Sequence, residues 1–89
     1  MHATPPVNPD SIRASIAAGI ACDEVRVRGD GHHFEALVVS AAFDGRTRVA
    51  RHQMVYAALG DRMRQEIHAL SMITMTPAEF ALARAQGQQ

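Results

Sequence analysis

Ile12, Ile16 and Ile20 recur every four residues, the repeat that lines one face of a helix. Asn8 stands before them as a good N-cap, Pro9 suits the first helical position and Asp10 favours the first turn, so the pattern predicts a helix from Pro9 to about Ala21. After Cys22 the period falls to two. Asp23-Glu24-Val25-Arg26-Val27-Arg28 alternates polar and apolar residues, as a half-exposed strand requires. Gly29-Asp30-Gly31 reads as a turn. His33 to Ser40 reads as a second strand whose alternation fades at Val38 and Val39, the mark of a more central position. These two strands are expected to form a hairpin.

Asp44-Gly45 ends that strand, and Thr47 can cap a new helix. Val49, His52, Tyr56, Leu59, Met63 and Ile67 then follow three- and four-residue steps, one apolar stripe carried by two helical segments around Gly60. His68 to Met75 reads as a third strand. Thr76-Pro77-Ala78-Glu79 has the form of a capping box with proline at the first helical position, and the short helix it opens is expected to carry Phe80 towards the core. The predicted order is α-β-β-α-α-β-α. This is an α+β domain whose helices pack on one face of a three-stranded mixed sheet and bury the Ile12, Val49 and Phe80 faces together. Residues 1–7, with Pro5 and Pro6 and no periodicity, are expected to be a flexible tail, 8–85 the domain and 86–89 a second tail.

At 89 residues the chain can build one compact core, and 47% hydrophobic with 20% charged residues exclude an intrinsically disordered chain. The longest apolar run, Ala36 to Phe43, falls far short of the roughly 20 residues of a membrane helix. No cationic stretch followed by an apolar run marks a secretory signal, so a cytoplasmic location is expected. Nine Lys+Arg residues, all of them arginine, cancel nine Asp+Glu, which removes the broad positive field behind non-specific nucleic-acid binding. The lone Cys22 cannot form an internal disulfide and reads as a small buried hydrophobe. There is no nucleophile elbow, no phosphate-binding glycine loop and no base for Cys22, so no enzymatic activity is expected.

Candidate chemistry then rests on five histidines and one arginine-bearing helix. A neutral imidazole can ligate iron, and mixed thiolate-imidazole sites are chemically sound. His68 opens the third strand, where alternation groups it with Leu70 and Met72. His32 and His33 follow the glycine turn, where a mobile loop could swing a ligand towards a partner. Successive strand residues point to opposite faces, so only one of the two is expected to serve. His52 lies in the apolar helical stripe and reads as a packed histidine. Arg46, Arg48 and Arg51, followed by Arg62 and Arg64, supply a rival reading: arginines near a helix start can reach phosphates and guanine edges, so a helix-turn-helix-like segment could bind DNA. Asp61 and Glu66 dilute that patch, and the Gly-x-x-Gly clamp of an RNA-binding KH module is missing at Leu59 to Arg62.

Four stretches together resemble the BolA family: G-D-G-H-H-F from Gly29, V-V-S-A-A-F-D-G from Val38, R-V-A-R-H-Q-M-V from Arg48, and I-H-A-L-S from Ile67. The resemblance runs from Ser11 through the T-P-A-E segment. The short loop before His33 is more similar to the acid-stress branch of the family than to the founding morphology branch. The resemblance implies a class II KH-like topology and partnership with a monothiol glutaredoxin carrying a CGFS motif. It implies a 2Fe-2S cluster shared with the glutaredoxin cysteine and a glutathione thiol, none being expected in the isolated, monomeric chain. The family's clearest ligand position corresponds to His68. Its second ligand is a Cys or His in the loop between the first two strands, which here points to His32, with His33, Asp30 or no protein ligand as alternatives. BolA-like proteins are also regarded as transcriptional regulators, which keeps the DNA reading open.

Overall fold

The computed structural model describes residues 8–30, 32–63 and 69–87. Helix α1 spans Pro9–Gly19 and opens on a reciprocal cap: the Ser11 amide donates to Asn8 Oδ1 (2.9 Å) and the Asn8 amide to Ser11 Oγ (3.3 Å). Strands β1 (Glu24–Gly29) and β2 (Phe34–Val39) form the expected antiparallel hairpin, with Gly29 opposite Phe34. Helix α2 (Arg48–Leu59) starts at Thr47, whose hydroxyl accepts the Ala50 amide (3.1 Å). A 3-10 segment, Gly60–Met63, follows it and occupies the second helical slot. Strand β3 (Leu70–Met75) pairs in parallel with β2, and α3 (Pro77–Ala85) begins at the Thr76 capping box. The order β1-β2-β3 places the hairpin's second strand at the centre of the mixed sheet. The expected start of the third strand at His68, the Ile67 end of the helical stripe and the 1–7 tail lie outside the described residues.

Alternation sorts the sheet into two faces. Val25 and Val27 of β1, Phe34, Ala36 and Val38 of β2, and Leu70 and Met72 of β3 turn towards α1 and α2, where they meet Ile12, Ile16, Ile20, Val55 and Leu59. Each fully buried Ile, Val, Leu or Phe side chain among them contributes about 1.5–3 kcal/mol by leaving water. The two helices approach closely because Gly19 has no side chain: a Cβ there would lie 2.6 Å from the Ala58 Cβ. The opposite face carries Arg26, Arg28, Glu35, Leu37 and the 57%-exposed Ile73. Buried Ser40 ties the far end of the sheet, its hydroxyl donating to the Ala21 carbonyl (2.7 Å) and its amide to the Met75 carbonyl (2.9 Å).

Two packing expectations are overturned. Val49 is 66% exposed, because the buried stripe of α2 runs through Val55 and Leu59, and six residues of helix turn Val49 about 120° away from Val55. Phe80 is only half-buried and stands outside the core, with the Arg84 guanidinium 5.5 Å over its ring. No residue of α3 is fully buried. Gln86 and Gly87 turn back on that helix, their amides reaching the Leu82 and Arg84 carbonyls at 3.1 Å. No helix among the described residues is long and apolar enough to cross a membrane.

Candidate functional site

The β1–β2 connection is built around Asp30. Its Oδ1 accepts the backbone amides of both His32 and His33, each at 2.9 Å, while its own amide donates to the His33 carbonyl (3.2 Å). These bonds tie Asp30 to the two histidines that open the second strand. The two donated amides, His33's first and then His32's, hold the Asp30 carboxyl below the usual carboxylate range. At the base of the turn Gly29 presses on Phe34 so closely that a Cβ would lie 2.5 Å from the ring and 2.6 Å from the His33 carbonyl oxygen. Beside it Arg28 pairs across the hairpin with Glu35, Nη2 to Oε1 at 2.7 Å.

His32 and His33 are both exposed, so both imidazoles are reachable by a partner. His33 lies in a shallow depression with Arg28, Gly29, Asp30 and Glu35, on the charged side of the hairpin. His68 lies outside the described residues. The parallel register sets Leu70 beside Phe34, so β3 starts at the sheet end that carries the Asp30 turn. Among the described residues no group of three or more His, Cys, Asp or Glu side chains converges into a closed metal site.

The remaining histidine among the described residues, His52, and the one cysteine are both partly buried. His52 is half-buried on α2, where burial first and the Arg48 charge second push it below the ordinary imidazole range, favouring the neutral ring. Cys22 packs against the core with its Sγ 3.2 Å from the Ile20 carbonyl, and burial raises its thiol above the usual range, so it is a poor thiolate.

The arginine group divides. Arg46 and Arg48 are exposed on either side of the Thr47 cap, open to an anionic partner. Arg51 is only 13% exposed and fully engaged: Nε donates to the Arg46 carbonyl (2.9 Å), Nη1 to the Thr74 carbonyl (3.3 Å), and the guanidinium pairs with Glu79. It also lies 5.9 Å over the Phe43 ring. Neither a DNA contact nor a solvated helix face describes Arg51, and a run of arginines in the sequence gives no sign of which one folds inward. Arg64 lies outside the described residues.

The element order and the mixed pairing of the sheet define a class II KH-like α+β domain. The BolA-like protein family model matches residues 9–79, and the chain belongs to the BolA family. It is 38% identical over 76 residues to the acid stress protein IbaG of Escherichia coli, a match spanning 84% of this chain and 90% of that protein. The structure of a BolA protein homologue from Coxiella burnetii matches with a TM-score of 0.70 at 46% identity, over 84% of this chain and 97% of that one. The DNA-binding transcriptional regulator BolA of Haemophilus influenzae is 40% identical over 53 residues, 60% of this chain and 52% of that protein.

Proposed function

We propose that this chain is the BolA-type partner of a monothiol glutaredoxin in the cytoplasm, sharing a 2Fe-2S cluster that it helps to traffic or regulate, without catalysis of its own. In this reading His68 and His32, with His33 as the alternative, are the chain's ligands. The glutaredoxin cysteine and a glutathione thiol supply the sulfur. The observation that carries it is the parallel pairing of Phe34 with Leu70, which starts β3 at the end of the sheet where the exposed His32 and His33 emerge. His68 precedes Leu70 by two residues, a length of chain that reaches about 7 Å at most. Imidazole ligands suit iron whose other ligands are thiolates. Isolated, the chain is a colourless monomer.

Co-expression with the host's monothiol glutaredoxin, followed by anaerobic size exclusion and visible absorption, tests this reading. The expected product is a coloured one-to-one heterodimer. A colourless mixture of separate chains under cluster-loading conditions would sink it.

A second reading, DNA binding, draws on the exposed Arg46 and Arg48 beside the α2 N-terminus and on the name of the Haemophilus influenzae relative. It lacks Arg51, whose guanidinium is turned inward. Titration against promoter fragments at two salt concentrations separates the two, since a DNA reader binds tightly and selectively with a steep salt slope.

A further inference from the structure

Asp30 was an alternative ligand on sequence grounds, and the geometry gives it a different task. One carboxylate oxygen accepts two successive amides, those of the two candidate loop ligands, each at 2.9 Å, and the Asp30 amide closes the ring on the His33 carbonyl. The turn is anchored from below. Phe34, which follows His33, is 2% exposed in the core, and Gly29 admits no Cβ against it. The Arg28–Glu35 pair clamps the neighbouring rung. Removing Asp30 Oδ1 leaves the His32 and His33 amides without this acceptor while the base of the hairpin stays fixed, so the effect is confined to the two histidines.

We propose that Asp30 is the positioning residue of the loop ligand: by holding both histidine amides it sets where the imidazoles leave the backbone before a partner arrives. The proposal rests on the shared-cluster reading and adds to it a residue that acts through its neighbours. A ligand held in place beforehand loses less conformational entropy on coordination than one on a loose loop. Asparagine keeps an Oδ1 acceptor and loses the charge, so Asp30→Asn preserves positioning, whereas a carboxylate that itself ligated iron would not survive that change.

Two readouts on Asp30→Ala and Asp30→Asn test it: amide hydrogen exchange of His32 and His33 in the free chain, and cluster lifetime against a chelator in the glutaredoxin heterodimer. Asp30→Ala is expected to speed exchange of both amides about tenfold, the loss of one hydrogen bond's worth of protection, and to shorten cluster lifetime. Asp30→Asn is expected to restore both readouts. Unchanged exchange in Asp30→Ala overturns the proposal on the free chain alone. So does faster exchange with a wild-type cluster lifetime, provided His32→Ala or His33→Ala shortens it. Failure of Asp30→Asn to rescue the cluster while it rescues exchange makes Asp30 a direct ligand and also overturns positioning. If removing both loop histidines leaves the cluster untouched while exchange still responds, the ligand reading itself is wrong and positioning falls with it.

Discussion

Arg51 of α2 and Glu79 of α3, 28 residues apart in sequence, meet through two parallel hydrogen bonds, Nη1 to Oε1 at 2.7 Å and Nη2 to Oε2 at 3.2 Å. Glu79 Oε1 also accepts the Thr76 amide (2.8 Å), so the carboxylate closes the capping box and the interhelical pair at once. Arg51 also reaches the Thr74 carbonyl, joining α2 to the end of β3. Since α3 buries no residue fully, this polar junction adds a tie between it and the body of the domain.

Arg51→Ala is therefore expected to destabilise the fold by about 1–2 kcal/mol, since it strips two backbone carbonyls and a carboxylate of a charged donor. Lysine cannot reproduce a two-pronged contact and should recover only part of the loss. Urea unfolding of the two variants checks this. Arg48→Ala, at an exposed position, is expected to unfold as wild type does.

The pH dependence of stability has a fixed sign. Arg51 first and the Thr76 amide second hold Glu79 below the ordinary carboxylate range, and backbone amides do the same for Asp30. A depressed carboxylate stabilises the fold above its unfolded value of about 4.3 for Glu, and that contribution is lost as pH falls through the folded value. His52 is also depressed, so the unfolded chain takes up its proton first as pH drops below about 6.5 and stability begins to decline there. Urea midpoints are expected to stay level from pH 8 to 7, fall gently below about 6.5 and fall more steeply in the carboxylate range. His52→Gln should remove the first decline, and Glu79→Gln should reduce the second.

Local signals were readable in the sequence and non-local ones were not. The Asn8 and Thr47 caps and the Thr76 capping box each act within one turn of helix and lie where the pattern placed them, whereas of the isoleucine repeat Ile12 and Ile16 lie on α1 and Ile20, expected inside the helix, is its extended C-cap after Gly19. Val49 failed because a three-and-four spacing admits more than one stripe on a helix, and packing against Gly19 and the sheet chose the one through Val55. Phe80 failed because an aromatic near a chain end carries no mark of which surface it meets. Arg51 looked like its neighbours because its partner lies in another element. At the loop, the histidines and the turn were legible, but the paired acceptance by Asp30 depends on backbone angles that composition does not encode.

Gly29→Ala is expected to disturb the loop and the core together. The added methyl would stand 2.5 Å from the Phe34 ring and 2.6 Å from the His33 carbonyl oxygen, where the obstacle on one side is backbone. Overpacking of this kind costs about 1–3 kcal/mol. The expected signature is a lower urea midpoint together with shifted amide resonances at His32 and His33. A variant as stable as wild type with unshifted resonances would show that the hairpin base gives more freely than its contacts imply.

Replacing His68 with alanine is expected to damage the heterodimeric cluster more than replacing either loop histidine. The reason lies in what can substitute. His32 and His33 are adjacent, both exposed and both held by Asp30, so the loss of one leaves an imidazole a single residue away. Ile67 and Ala69 flank His68 and neither carries a donor, so water or an exogenous thiol must fill its place. A solvent ligand changes the asymmetry of the iron environment and is readily displaced, which should alter the visible circular dichroism and speed cluster loss to a chelator. His33 shares its depression with Arg28 and Glu35, so its loss should matter less than that of His32. The expected order of lability is His68→Ala, then His32→Ala, then His33→Ala, with His52→Ala acting on stability through its half-buried place on α2. A His68→Ala chain that keeps the wild-type spectrum and cluster lifetime with its glutaredoxin would remove His68 from the ligand set and leave the loop to supply this chain's contribution alone.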